Sequence, residues 1–267
     1  MTQTTAGSGK DPRAKALLER YERARRTRDQ VKDAWDEVIT YTMPHRRTSE
    51  QMSEGDRRTD MIFDETAVVG TSEFVSILVD GLTPNFSNIF RLQPGPGFPD
   101  ELQNNQVQRE LDEITNYLHH VLRQSNFASE VQEFYYDLAI GTANLAIWDG
   151  GGPGKVVFSA ESLTDLVIER GPNDTVDGRF RQRKVALKHL QLEWPRAKLS
   201  DALQRKRKAD ENAEVTVIEA FSRDWSRKDT ETWLYEVVVK DDAERIHTDK
   251  IEGNGSQPII TTRWGKS

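Results

Sequence analysis

The spacing of apolar residues changes near Gly141, and this change most limits what the chain can fold into. Before Gly141, apolar residues recur every three or four positions, as on one face of a helix. After Gly141, short runs of β-branched and aromatic residues alternate with turn residues, which is typical of strands. The sequence therefore predicts an α+β fold with a helical amino-terminal half and a mostly antiparallel β region after it.

Two helices are predicted in the first part of the chain. The first begins at Pro12 and ends before Pro44, because proline fits the first turn of a helix and cannot continue one. The second begins near Asp64, and Gly81 is expected to end it in a left-handed conformation. Its apolar positions predict a core helix with one buried face: Val68, Val69, Phe74, Ile77 and Leu78.

Two further helices are predicted before Gly141. Asp100 is expected to cap the third helix, Ser125-Asn126 to end it, and Gly141 to end the fourth, which starts near Ala128. The predicted buried face of the third helix comprises Leu102, Val107, Leu111, Ile114, Leu118 and Leu122. That of the fourth helix comprises Val131, Phe134, Tyr135 and Leu138.

Strands are predicted along the second half of the chain, at residues 143–148, 155–160, 166–170, 179–185, 215–222, 232–240 and 259–264. The glycine-rich segment 149–154 is expected to join the first two strands as a hairpin loop. It is not a phosphate-binding loop, because neither a Lys-Ser/Thr pair nor a helix follows it. A helical segment from Leu187 to Glu193, resuming from Pro195 to Ala209, is expected to interrupt the sheet.

The composition limits the function. The net charge of -7 argues against a general polyanion binder, which ordinarily carries a basic face. Only 36% of residues are hydrophobic and 30% are charged, so part of the burial is expected to occur between subunits. The absence of cysteine excludes disulfides and cysteine-ligated zinc. No run is apolar enough to span a membrane, and no signal peptide is evident, so we expect a soluble intracellular protein.

Two basic clusters are the candidate contacts with DNA or with an acidic partner. One cluster lies on the first helix and comprises Arg20, Arg23, Arg25, Arg26 and Arg28. The other ends the helical segment of the second half and comprises Arg205, Lys206, Arg207 and Lys208. The other interpretation of such clusters is a solvated helix face, or a cationic end that complements the helix dipole, and both interpretations stay open.

No catalytic, cofactor or metal site is predicted. The five histidines lack the spacing of metal ligands, and adjacent His119 and His120 point about 100° apart on a helix. The segment Asp174 to Gly178 lacks the bidentate glutamate of a calcium loop. There is no nucleophile for which a base can be named. Scattered carboxylates and the two basic clusters leave a divergent metal-dependent nucleic-acid hydrolase as the alternative function.

Six groups of residues occur in a fixed order along nearly the whole chain. They are Phe63-Asp64; Gly81-Leu82-Thr83-Pro84 with Phe90; Ser125-Asn126-Phe127; Phe134, Tyr135 and Asp137 with Gly141-Thr142; an expected Asp-Gly turn at Asp177-Gly178 with Arg179 and Arg181; and Pro258-Ile259-Ile260 with Arg263-Trp264. In this order they resemble the amino-terminal half of the portal, or head-to-tail connector, proteins of short-tailed bacteriophages.

The resemblance implies a structural subunit and not an enzyme. Portal proteins form a ring of about twelve copies at one capsid vertex, which is a closed cyclic assembly. The ring docks the packaging terminase and tail proteins, and double-stranded DNA passes through its channel during packaging and ejection. The implied partners are therefore further copies of the chain, capsid, terminase and tail proteins and, transiently, DNA, with no membrane. The implied location is the virion, with the host cytoplasm during assembly.

The resemblance also implies a domain organisation. Residues 12–141 correspond to the helical part of the portal wing and residues 142–267 to its β-rich part, while residues 1–11 are expected to be a disordered tail. The stem helices and the clip of a portal follow the segment that matches Arg263-Trp264. We therefore expect them to be absent from these 267 residues, whether the chain is a piece of a longer protein or a short form.

Overall fold

The computed structural model describes residues 11–46, 64–85, 87–95, 97, 99, 105–226, 230–253 and 255–265. The predicted α+β fold is confirmed, since within these residues four helices precede eight strands, and all the strand pairings are antiparallel. The chain forms two compact units: Met1–Ala34 with Thr164–Gln257, here called unit 1, and Trp35–Leu163 with Pro258–Ser267, here called unit 2. The predicted tail lies outside the described residues except for Asp11, and the assignment of both halves to a wing stays a prediction.

The helices are α1 (Pro12–Thr42), α2 (Thr66–Leu82), α3 (Asn105–Gln124), α4 (Phe127–Ile140), α5 (Leu190–Glu193) and α6 (Asp201–Ala209). The strands are β1 (Thr142–Asp149), β2 (Val156–Glu161), β3 (Leu166–Arg170), β4 (Val176–Ala186), β5 (Glu214–Arg223), β6 (Thr232–Val239), β7 (Glu244–Glu252) and β8 (Ile259–Arg263).

Unit 1 is a five-stranded sheet of order β3-β4-β5-β6-β7 with helices on both faces. Successive side chains of a strand point to opposite faces, so each strand contributes to two cores. Ile218 and Val238 pack against the first half of α1, together with its buried residues Ala14, Leu17, Tyr21 and Ala24. Val217 and Val237 pack on the other face against α5 and α6, with Leu190, Trp194 and Leu203.

Unit 2 is built on a three-stranded sheet of order β2-β1-β8, against which α4 packs. The four positions predicted for the buried face of α4 are all buried, together with Val75, Ala143, Leu145 and Phe158. Gly141 ends α4 with a φ of 142°, a conformation that favours glycine. The predicted hairpin is confirmed, because β1 pairs with β2 from Asn144↔Glu161 to Asp149↔Val156.

The sequence interpretation of α2 needs two corrections. Gly81 does not end the helix in a left-handed conformation, because α2 continues to Leu82 and the Thr83 N–H donates to the Val79 carbonyl at 2.9 Å. The face of α2 that was predicted to be buried is also largely exposed. Val75 alone is buried on α2, whereas Val69 and Ile77 are 52% and 68% exposed. The predicted face was wrong because burial depends on the neighbouring elements as well as on periodicity.

The interpretation of α3 is corrected in the same way. Its buried residues are Thr115 and His119, while Ile114 and Leu118, both predicted to be buried, are exposed. The end of α3 before Ser125-Asn126 is confirmed. Its predicted start at Asp100, and Leu102, lie outside the described residues.

Asp177-Gly178 is not a turn. Both residues lie inside β4, and the turn that precedes β4 is Pro172–Asp174. Glycine is required at position 178 for a different reason: an added Cβ would lie 2.9 Å from the Cβ of Glu169 on β3. Glycine at this position therefore allows β4 to lie close to the Glu169 side chain of β3.

Two other parts of unit 1 differ from the sequence interpretation. The helical segment after Leu187 is divided into α5 and α6, and the Ser200 hydroxyl caps α6 by accepting from the Leu203 N–H. Strand β7 was not predicted. It is an edge strand with Ile246 as its buried residue, so its sequence lacks the apolar alternation of a central strand.

Candidate interaction surfaces

Three arginines of the α1 cluster have partners within unit 1. Arg20 pairs with Glu169, and its guanidinium lies 5.8 Å from the ring centroid of Phe180. Arg28 donates to the Thr164 carbonyl at 2.6 Å and pairs with Asp29 at 2.7 Å. Arg25 lies 3.5 Å from Asp29. The contacts of Arg20 and Arg28 attach α1 to its own sheet.

Arg23 and Arg26 differ from the other arginines of this cluster. Both are exposed, and neither side chain has a partner within the part of the chain that the structure describes. They are three residues apart, so they are neighbours on the same side of the helix. They lie near the middle of α1, far from the partial charges of either helix end. This side of α1 therefore presents two unneutralised guanidinium groups to solvent.

The cluster on α6 is also partly paired. Lys206 lies 3.1 Å from Asp242, and Arg207 donates to the Gln191 side chain at 2.6 Å. Arg205 and Lys208 are exposed, with no side-chain partner among the described residues. Lys206, Arg207 and Lys208 occupy the last turn of α6, where the helix carbonyls offset part of their charge.

The structure does not bring the two basic clusters together. In unit 1, α1 packs on the face of the sheet that carries Ile218, and α6 packs on the face that carries Val217. The whole thickness of the sheet separates them, so they cannot contact one phosphate backbone as a single site. That either cluster binds DNA or a partner stays a prediction.

An apolar and acidic surface runs along α2 in unit 2. Val69, Glu73, Ile77 and Asp80 are all exposed and follow one another at intervals of four, four and three residues. We call these four residues the α2 stripe. Phe74 lies beside it and packs edge-on against Trp264, with ring centroids 5.9 Å apart. Trp264 is itself 62% exposed. From Asp64 to Asn85 the chain contains no lysine or arginine.

A row of polar side chains on α3 holds the extended segment Asn88–Leu92. The Ile89 N–H donates to His119 Nε2 at 2.9 Å, and the Leu92 N–H donates to the Thr115 hydroxyl at 3.1 Å. Arg91 pairs with Asp112 at 2.8 Å, an interaction that lowers the pKa of Asp112. Sequence reasoning missed this row, although its polar residues recur at helical spacing: Asp112, Thr115, Asn116, His119 and Arg123.

A buried ion-pair network lies on the α5 side of the unit 1 sheet. The Glu219 side chain is 2% exposed and accepts from Arg181 at 3.0 Å and from the Tyr235 hydroxyl at 3.0 Å. Arg183 pairs with the same carboxylate. Burial raises the pKa of Tyr235, and the charge of Glu219 raises it further. Because two arginines and a phenol engage this carboxylate, its role is structural.

The described residues contain no group of three or more histidine, aspartate or glutamate side chains placed to hold one metal ion. Across the same residues, no helix has both the length and the apolar character needed to cross a bilayer.

Comparison with protein families places the chain in a known family. The model of the family described as bacteriophage head to tail connecting protein matches residues 14–267. The chain belongs to this connector family. The resemblance deduced from the six groups of residues is thereby confirmed. No curated protein matches the chain.

Two groups of residues that carried the resemblance have structural roles in the connector. The Asn126 side chain donates to the Phe158 carbonyl and accepts from the Phe158 N–H, both at 2.8 Å, as a neighbouring strand would. Buried Asp137 pairs with Arg46 at 2.9 Å and accepts from the Leu163 N–H. Asn126 thus covers part of the outer edge of β2, which would otherwise be open to pairing with another strand.

Proposed function

We propose that this connector is a subunit of a closed ring at one capsid vertex, where it joins the head to the tail. The family match over residues 14–267 carries the proposal, and it supports a connector role with capsid and tail association in the virion. We further propose that the ring docks terminase and tail proteins, and that the genome passes through it during packaging and ejection. A ring of about twelve copies would repeat one heterologous contact around its axis.

Two features of the protein support a structural role. The described surface exposes large apolar side chains on α2 and α3, among them Val69, Ile77, Ile114 and Tyr117, as expected when burial is completed between subunits. The net charge of -7 suits a wall past which DNA must slide, because a surface that neutralised many phosphates would retain DNA by counterion release.

Among the residues that the structure describes, no group of side chains favours the alternative of a metal-dependent hydrolase. The matched family consists of structural connectors, and the carboxylate that lies deepest in unit 1, Glu219, is engaged by Arg181, Arg183 and Tyr235.

Labelling of virions that contain the protein tests the proposed location. An antibody raised against the chain, imaged by electron microscopy on particles from which tails have been removed, should mark a single vertex of each head. A uniform label over the shell, or a label only on detached tails, would contradict a position at the head-to-tail vertex.

A further inference from the structure

The α2 stripe has an unusual combination of exposed groups. Its apolar members, Val69 and Ile77, are exposed at 52% and 68%. Its acidic members, Glu73 and Asp80, are exposed and have no partner among the described residues. The four residues span about 16 Å of helix, given a rise of 1.5 Å per residue. A partner that covers the stripe must therefore supply both apolar surface and positive charge.

Arginine meets both requirements better than lysine does. Its guanidinium binds carboxylates and stacks on aromatic rings, while its aliphatic stem covers apolar surface. The exposed pair Phe74 and Trp264 provides aromatic surface beside Ile77. This chain repeatedly places arginine over aromatic rings: Arg46 over Tyr136, Arg179 over Trp233 and Arg223 over Trp225. The chemistry of the α2 surface thus fits a pair of arginines.

The same chain supplies such a pair on a different surface. Arg23 and Arg26 project from the middle of α1 in unit 1 without partners in the described part of the chain. Arg205 and Lys208 are the other unpaired cations of the predicted clusters, but Lys208 lies in the last turn of α6, where the helix carbonyls offset part of its charge. Lysine also lacks the planar guanidinium that stacks on aromatic rings, so the α1 pair is the better complement to the α2 stripe.

We propose that the α2 stripe of one copy binds Arg23 and Arg26 of the neighbouring copy. The inference rests on the proposed ring and names one of its contacts. Because the two surfaces differ, a copy can bind one neighbour through its α2 stripe and another through its α1 arginines, which is the heterologous contact that a ring repeats. Each copy would bind one neighbour through its α2 stripe and the next through its α1 arginines.

Charge reversal in matched pairs tests the contact. The variants are R23E/R26E, E73R/D80R and the combination of all four substitutions, with R205E/K208E as the control on the opposite face of the unit 1 sheet. All six substituted positions are exposed, so circular dichroism and thermal unfolding should show the wild-type fold for each variant. The molar mass of each variant is measured by light scattering over a concentration series, at low and at high salt.

Each reversed pair should raise the concentration needed for assembly at least about tenfold at low salt, because two attractive contacts become repulsive. The combined variant should restore assembly, and R205E/K208E should assemble like the wild type. Assembly that none of these substitutions affects would overturn the inference while leaving the proposed ring intact. Loss of DNA binding with unchanged assembly in R23E/R26E would assign these arginines to DNA and overturn it as well.

A failure of the proposed function looks different in the same experiment. If the wild-type chain does not assemble, either alone or with capsid and tail proteins, the ring itself is contradicted. The inference then falls with it.

Discussion

At the scale of single residues, the fold of unit 1 depends on charges that are buried only because they are paired. Buried Glu219 pairs with both Arg181 and Arg183, and Tyr235 bridges it to Trp194, whose indole N–H donates to the Tyr235 hydroxyl at 2.8 Å. Removing one member of such a network leaves an uncompensated charge in a poorly solvated place.

We therefore expect E219A to lower the free energy of unfolding by about 3–5 kcal/mol, measured by urea denaturation. The control is E193Q, which removes a partly exposed partner of Arg183 and should change the free energy of unfolding by less than about 1 kcal/mol. Equal effects of the two substitutions would contradict the structural role assigned to Glu219.

Two glycines should respond to alanine with opposite signs. In G178A the new Cβ would lie 2.9 Å from the Cβ of Glu169, so the free energy of unfolding should fall by about 1–3 kcal/mol. Gly70 lies inside α2 with no atom within 4 Å of an added Cβ, so G70A should raise the free energy of unfolding by about 0.5–1 kcal/mol. A neutral G178A would show that β3 and β4 are not packed as described.

Glu231 should make the stability of unit 1 depend on pH. The Gly255 N–H and the Trp233 indole N–H donate to its carboxylate, and these hydrogen bonds lower the pKa of Glu231 in the folded state. A carboxyl group with a depressed folded pKa stabilises the fold above its unfolded pKa, about 4.5, and loses that contribution as the pH falls through the folded pKa. The stability difference between wild type and E231Q should therefore shrink as the pH falls below about 5 in denaturation experiments; a constant difference would contradict this.

At the scale of helices and strands, the sequence predicted correctly those features that depend on interactions within a single element. The boundaries and the buried face of α4 were predicted correctly, since its periodicity, the preceding Ser125-Asn126 and the glycine at 141 all act within the element. The exposed face of α2 and the edge strand β7 were not predicted, because both depend on which other elements pack beside them. For the same reason, the sequence did not show that β8 pairs with β1, more than a hundred positions earlier in the chain.

The contact surfaces were predictable in part. The residue types at Arg23 and Arg26 could be identified from the sequence, but their lack of partners could not, because Glu169 and Thr164, which engage Arg20 and Arg28, are remote in sequence. The α2 stripe was missed because its apolar residues were assigned to a core.

The segment Asn88–Leu92 provides a prediction for an element. The His119 ring lies between the Ile89 N–H, which can only donate, and the Thr115 carbonyl, which can only accept. Nδ1 therefore carries the hydrogen and donates to the carbonyl, while Nε2 accepts from the Ile89 N–H. We expect H119A to remove this acceptor and to lower the hydrogen-exchange protection of the Ile89 amide strongly, with a loss of about 1–3 kcal/mol in stability. The control is H120A, at the adjacent exposed residue, which should leave the protection of the Ile89 amide and the stability unchanged. Retained protection at Ile89 in H119A would show that the contact with α3 does not hold the segment.

At the scale of the whole molecule, the proposed ring requires a stable fold together with surfaces that stay exposed for other copies. The two units separate these tasks along the chain. Unit 1 keeps most of its arginines in internal pairs and leaves Arg23 and Arg26 outward, while unit 2 carries the apolar and acidic α2 stripe. We propose that a protein with a net charge of -7 and unpaired surface groups of this kind binds its own copies more firmly than DNA.

The molar mass of the purified wild-type chain in solution tests the central claim most directly. Light scattering over a range of concentrations, combined with negative-stain images, should show a defined species of about a dozen copies with a central opening. A chain that remains a monomer at every concentration, and that also fails to assemble when capsid and tail proteins are added, would contradict the proposal that this connector forms a ring.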